Sequence, residues 1–196
     1  MMRWILAGVM MVLAAGTAEA ADGKALFAAK GCTACHGAEG RKALAATPHL
    51  AGQNAVYLTR QMNEIAEGLR AAPALKPMKP FIDKTAAEER KAMADWLAAQ
   101  PPADSGTGDA AKIARGEELF DEQGCIGCHG ANGAKPLSDY PVLAGQRKDY
   151  LAAQIKAIRD EVRSTRRARL MVANVRTLKD AQVDDVAEFL SQSKRK

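Results

Sequence analysis

Outside two short segments the chain contains no cysteine. Its 4 cysteines all fall in Cys32-Thr33-Ala34-Cys35-His36 and Cys125-Ile126-Gly127-Cys128-His129, each pair followed at once by histidine. Nothing is left over to build the disulfide framework that a small exported domain would use. Histidine is as scarce, with 3 in 196 residues. Beyond the N-terminal apolar run no stretch approaches membrane-spanning length. No segment shows the apolar–polar alternation of a half-buried strand. The net charge of +5 is modest and shared by both halves, which argues against nucleic acid and for at most a mild preference for acidic protein partners.

What is present in those two segments is the C-x-x-C-H attachment pattern of c-type haem. The thiols of Cys32 and Cys35, and of Cys125 and Cys128, would add to porphyrin vinyl groups as thioethers. His36 and His129 would then be delivered to iron as axial ligands. Two such haems would bring propionates that offset much of the positive excess. A structural zinc site is the weaker alternative, because zinc ligand pairs seldom place histidine directly after the second cysteine. A thioredoxin-like thiol pair would need a βαβ context that is missing.

The segments recur within a longer repeat. The step from Cys32 to Cys125 is 93 residues, and the same gapless step pairs Gly23 with Gly116, Phe27 with Phe120, Pro48 with Pro141, and Leu50-Ala51-Gly52-Gln53 with Leu143-Ala144-Gly145-Gln146. It also pairs Tyr57 with Tyr150, Gln61 with Gln154, Arg70 with Arg163 and Met78 with Met171. A period of this length is a whole domain duplicated, well above a solenoid unit.

Residues 1–20 read as a cleaved secretory signal. Arg3 forms the positive n-region, residues 4–15 the apolar core, and Ala18-Glu19-Ala20 the cleavage site. The mature chain is then expected in a periplasm, with domains at 21–100 and 110–196 joined by the Pro- and Gly-rich linker 101–109. Each unit shows three helical segments: 23–30, 55–69 and 86–99, repeated near 110–123, 148–163 and 181–191. Thr85 and Asp180 are the expected N-caps of the last helix. Gly23 and Gly116 are expected to let that helix approach closely, with Phe27 against Trp96 and Phe120 against Phe189. The fold class is all-α.

Each iron needs a second axial ligand. After the linker the chain has one histidine, His129, and one methionine, Met171. The repeat selects Met78 in the first domain, since Met62 and Met93 fall at core positions. His49 pairs with Val142 and reads as a loop residue. His/Met ligation leaves no open position for substrate and raises the potential relative to bis-histidine ligation. That arrangement suits electron transfer rather than catalysis, and it weighs against a dihaem peroxidase.

The C-x-x-C-H-G segments, Pro-x-Leu-Ala-Gly-Gln, the Tyr-Leu-x-x-Gln helix, the late methionine and the aromatic terminal helix resemble class I cytochrome c domains. Two in tandem behind a signal resemble the dihaem cytochrome c4 family, over essentially the whole mature chain. The resemblance implies two domains related by an approximate two-fold, with axial pairs His36/Met78 and His129/Met171. It also implies that the carbonyls of Pro48 and Pro141 accept the histidine Nδ1 protons. The expected role is a periplasmic, non-enzymatic electron carrier between a quinol-oxidising complex and a terminal oxidase or reductase, associating with membranes at most peripherally. The alternative is the electron-accepting dihaem subunit of a dehydrogenase such as flavocytochrome c sulfide dehydrogenase. Arg163, Arg166, Arg167 and Arg169, which crowd the approach to Met171, read equally as a docking patch for an acidic partner or as a solvated face.

Overall fold

The computed structural model describes residues 22–41, 44–70, 72–103 and 107–195. The segment 1–20, expected to be a signal, and part of the expected linker 101–109 lie outside the described residues. The described residues are helical, with no strand among them.

The first unit runs α1 (Gly23–Ala29), α2 (Thr33–His36), α3 (Ala55–Ala66), a 3-10 turn (Pro73–Leu75), α4 (Lys79–Ile82) and α5 (Ala87–Ala98). The second runs α6 (Ala110–Glu122), α7 (Ile126–His129), a 3-10 turn (Ala131–Gly133), α8 (Lys148–Arg159), α9 (Arg166–Arg169), α10 (Val172–Val175) and α11 (Asp180–Gln192). The 93-residue step carries α2 onto α7, α4 onto α10 and the Pro73–Leu75 turn onto the first three residues of α9. The duplication is therefore kept in three dimensions, down to single helical turns.

Each unit closes where its first helix meets its last. Asp22 and Asp109 cap α1 and α6, each carboxylate accepting two backbone N–H groups. Phe27 stacks on Trp96 at 5.4 Å and Phe120 on Phe189 at 5.7 Å, both tilted. A Cβ added at Gly23 would lie 2.2 Å from the Ala92 carbonyl oxygen, and one at Gly116 only 2.1 Å from that of Asp185. Backbone thus meets backbone in both units. Below these crossings lie two separate cores, one including Leu58, Ile65, Met93 and Leu97, the other Leu151, Ile158, Val183 and Leu190.

Two expectations need correction. The middle helices stop at Ala66 and Arg159 rather than near 69 and 163. Gly68 and its equivalent Glu161 take φ of 73° and 56°, which turns the chain so that Arg70 N–H reaches the Glu64 carbonyl and Arg163 N–H that of Ala157. The N-caps of α5 and α11 are Ala86 and Lys179, not Thr85 and Asp180. Thr85 bonds back to the Ile82 carbonyl instead. The cap N–H groups are satisfied from inside the helix by Glu89 at 2.8 Å and Gln182 at 2.9 Å.

The units face each other through a reciprocal amide exchange. Gln53 donates to the Val142 carbonyl at 2.8 Å and accepts from Val142 N–H at 2.7 Å. Gln146 does the same with His49, at 2.8 Å in both directions. Arg195 completes the contact, donating from Nε to the Ala144 carbonyl and from Nη1 to that of Ala51. Those two carbonyls are repeat equivalents, so the tail grips both units at the same point. Replacing Gln53 and Gln146 together by Ala removes four inter-unit hydrogen bonds, each worth about 1 kcal/mol net. Calorimetry of the double variant is expected to resolve two transitions in place of one. A single unshifted transition would show that the units are coupled elsewhere.

Candidate cofactor sites

Each attachment segment is anchored to the helix before it. Cys32 N–H bonds to the Phe27 carbonyl and Cys125 N–H to that of Phe120. One helical turn then presents His36 and His129, which are 7 % and 3 % exposed. The imidazole orientation is set by backbone. His36 Nδ1 lies 3.1 Å from the Pro48 carbonyl and His129 Nδ1 3.3 Å from that of Pro141. A carbonyl can only accept, so Nδ1 carries the proton and the Nε2 lone pair is free for a metal. The proline loops are pinned in turn. Leu50 N–H reaches the Gly40 carbonyl and Gly52 N–H that of Leu97, repeated as Leu143 to Gly133 and Gly145 to Leu190.

Met78 and Met171 occupy identical places, immediately before α4 and α10, and each packs half-buried against its own core. Met62 and Met93 are buried core residues. One continuous cavity of about 360 Å³ is lined by Cys32, His36 and Met78 from the first unit and by Cys125, His129 and Met171 from the second. Cys35 also lines it. His129 Nε2 is buried without a hydrogen-bond partner. A protein does not bury a free lone pair beside an apolar cavity without a use for it.

The thiols and ligand geometry decide between the chemistries. All four cysteines are free. Burial raises the Cys32 thiol and pushes Cys125 up to about 11, the opposite of a thiolate-based redox pair. No group of three or more His, Cys, Asp or Glu stands ready for a metal among the described residues, so zinc lacks a ligand set. A buried histidine, a methionine and a paired thiol motif around an apolar cavity fit haem c.

The two sites are not identical. Tyr140 meets the His129 ring edge-on at 5.8 Å, Arg167 lies over Tyr140, and Asp139 pairs with both Arg167 and Arg60. The equivalent of Tyr140 is Thr47, which bonds to Leu44. The four-arginine cluster is thereby divided. Arg163 is directed into the contact between units and Arg167 is held by Asp139, while Arg166 and Arg169 stay exposed.

His49 is a loop residue as expected, but one wedged between the units, with Nδ1 buried and unpaired. Burial, with Arg147, Arg195 and His36 nearby, lowers its pKa to about 4. The native state then binds fewer protons than the unfolded chain between pH 6.5 and 4, so stability falls as pH drops through that window. His49→Val, which copies the repeat partner Val142, is expected to flatten this part of a urea-midpoint profile. An unaltered slope would assign the loss to other groups.

The sequence alone gives no role to the reciprocal amides, to Arg70 or to Arg195. Gln53, Gln61 and Arg70 each have an identical partner one repeat later, and repeated polar residues away from the haem motif were the available signal.

The cytochrome c family model matches residues 20–100 and again 113–194. A thiosulfate dehydrogenase electron acceptor from Stutzerimonas stutzeri is 34% identical over 96% of this chain and 94% of its own length. Cytochrome c4 of Azotobacter vinelandii is 33% identical over 77% of this chain and 76% of its own. The solved cytochrome c4 of Acidithiobacillus ferrooxidans superposes with a TM-score of 0.74 at 31% identity, covering 82% of this chain and 98% of that one. With the family model matched twice and cytochrome c4 relatives above 30% identity over three quarters or more of its length, the chain belongs to the cytochrome c family, in its dihaem cytochrome c4 branch, and carries two covalently bound haem c groups.

Proposed function

We propose that this electron carrier works in the periplasm, after removal of residues 1–20, and accepts electrons from a sulfur-compound dehydrogenase of the thiosulfate dehydrogenase kind for delivery to a terminal oxidase or reductase. The supporting observation is the full-length likeness to a thiosulfate dehydrogenase electron acceptor. In this reading the domains are 21–100 and 110–196 with 101–109 as linker. Cys32, Cys35, Cys125 and Cys128 hold the haems, His36 with Met78 and His129 with Met171 close the iron sites, and Pro48 and Pro141 orient the histidines. The bound haems supply one-electron redox chemistry at iron. The chain holds each histidine by a backbone carbonyl and shares one cavity between both sites, which favours outer-sphere transfer with little rearrangement. Delivery from a quinol-oxidising complex is the second reading, supported by the likeness to cytochrome c4.

Mixing the oxidised holoprotein with a thiosulfate dehydrogenase and thiosulfate separates the two. Rapid haem reduction there, with slow reduction by a quinol-oxidising complex, supports the first reading; the reverse pattern supports the second. Arg166→Ala with Arg169→Ala is expected to slow reduction several-fold at low ionic strength and hardly at all at high salt. Unchanged salt dependence would remove these arginines from docking.

A further inference from the structure

The surroundings of His129 differ from those of His36, and the difference begins in the other unit. Arg60, on α3 of the first unit, donates from Nη1 to Asp139 Oδ2 at 3.0 Å and from Nη2 to the Asp139 carbonyl at 2.7 Å. Asn54, the N-cap of α3, donates to the Ser138 carbonyl at 2.8 Å. Two successive residues of the second unit are therefore held by side chains of the first. Tyr140 and Pro141 come next in the chain, and the Pro141 carbonyl is the one that orients His129.

Tyr140 is fixed from several directions. Its own N–H reaches the Leu137 carbonyl at 3.0 Å. Arg167, paired with Asp139, lays its guanidinium 5.6 Å from the centre of the tyrosine ring. That ring stands at 87° to the His129 imidazole with centroids 5.8 Å apart, an edge-on geometry that aromatic quadrupoles favour. Asp139 is the shared anchor, because its one carboxylate answers an arginine from each unit. With its side chain only 22 % exposed, the carboxylate is sheltered from much of the screening that weakens surface pairs.

The repeat lacks every member of this path at the first site. The equivalents of Arg60, Asp139, Arg167 and Tyr140 are Ala153, Ala46, Ala74 and Thr47. Thr47 turns its hydroxyl to the Leu44 carbonyl at 2.6 Å, and no ring meets His36 among the described residues. Four departures from the repeat thus fall on one line of contacts, which belongs to the second site alone.

We infer that Arg60 and Asp139 form a latch by which the first unit positions Tyr140 against the axial histidine of the second haem. The ring holds the imidazole plane and keeps water from that side of His129, which is 3 % exposed. Ferric haem carries one more positive charge than ferrous haem, so excluding water disfavours the ferric form and raises the potential. The first unit is in this way part of the second haem's surroundings, and the first haem has no counterpart. Tyr140 is a positioning residue that acts through His129. The inference rests on His129 as an iron ligand and on no particular redox partner.

The experiment is a redox titration of full-length holoprotein, joined to proton NMR of its oxidised form. Tyr140→Thr copies Thr47, and Arg60→Ala copies Ala153. In each variant one potential is expected to fall by a threefold or greater change in its reduction equilibrium constant, about 28 mV at 59 mV per tenfold. It should be the potential that Met171→Ala also moves. The hyperfine-shifted methyl resonances of that haem report the plane of the axial imidazole; they should move while those of the other haem stay in place. Tyr140→Phe keeps the ring and should restore both readouts. A lowered potential with unmoved methyl resonances would be the loss of a nearby charge or dipole alone and would overturn the latch. Equal movement at both haems, or a Tyr140→Phe protein that behaves like Tyr140→Thr, would overturn it too. If Tyr140→Thr yields no holoprotein, Arg60→Ala decides by the same two readouts. The low-spin spectrum of the parent protein tests the ligation separately, so a failed latch and a failed ligand reading are told apart.

Discussion

A Gly116→Val chain is expected to lose its second unit. Its thermal unfolding should show only the first unit's transition, and the weak red-edge absorption of thioether-ligated iron should fall to half. The physical reason is the kind of atom in the way. A Cβ at Gly116 would sit 2.1 Å from the Asp185 carbonyl oxygen, 2.6 Å from its carbon and 2.8 Å from Phe189 Cβ. Backbone cannot rotate aside as a flexible side chain can, so α6 and α11 must separate. Separation opens the Phe120–Phe189 stack and the core beneath it, which includes Ile158, Val183 and Leu190. Overpacking a well-filled core costs about 1–3 kcal/mol and sometimes more, and here both contact surfaces are main chain. A small domain holds only about 5–15 kcal/mol in total. Gly68→Ala is the matched control. It meets nothing within 4 Å but keeps a φ of 73°, so a loss of about 1 kcal/mol is expected. If Gly116→Val melted like the parent, the close crossing would not be what holds the unit shut.

Met171→Ala is expected to change the second haem and leave the first alone. Met171 is the sole methionine after Met93, so no other thioether in that unit can take its place. The red-edge band should fall to half while the thermal transition moves little, because Met171 packs at the margin of the core and not within it. The potential of that haem should drop on the order of 0.1 V or more, within the span of about 0.8 V that axial ligation covers. Met78→Ala should do the same to the first haem. Met62→Leu, a volume-conserving change at a core position 8 % exposed, should alter neither band nor potential. A Met171→Ala protein with the full band and both parental potentials would show that the thioether ligand has been misassigned.

The long helices were legible because their apolar positions recur at helical spacing, and Gly23, Gly116 and their aromatic partners because the repeat doubled the signal. The single-turn helices α2, α4, α7, α9 and α10 were not, since four residues are too few to show a period. Thr85 failed as a cap because its hydroxyl found the Ile82 carbonyl first, a competition that only the folded chain settles. The repeat carried Met78 and Met171 to equivalent positions, yet it gave no hint that Arg167 would be drawn onto Asp139 and Tyr140. The contact between units depends on which residues meet across an axis. Gln53 and Gln146 are conspicuous as a repeated pair, but nothing in their spacing says that each bonds to the other half's backbone.

Arg195 has a consequence for how the two cofactor sites are kept alike. It binds the carbonyls of Ala51 and Ala144 together, and these lie in the same repeated loop whose Pro48 and Pro141 carbonyls face the two histidines. One side chain therefore braces both histidine loops at equivalent points. A disturbance there reaches the two irons together, and the distance across which an electron must hop is fixed by the same contact that steadies its two ends.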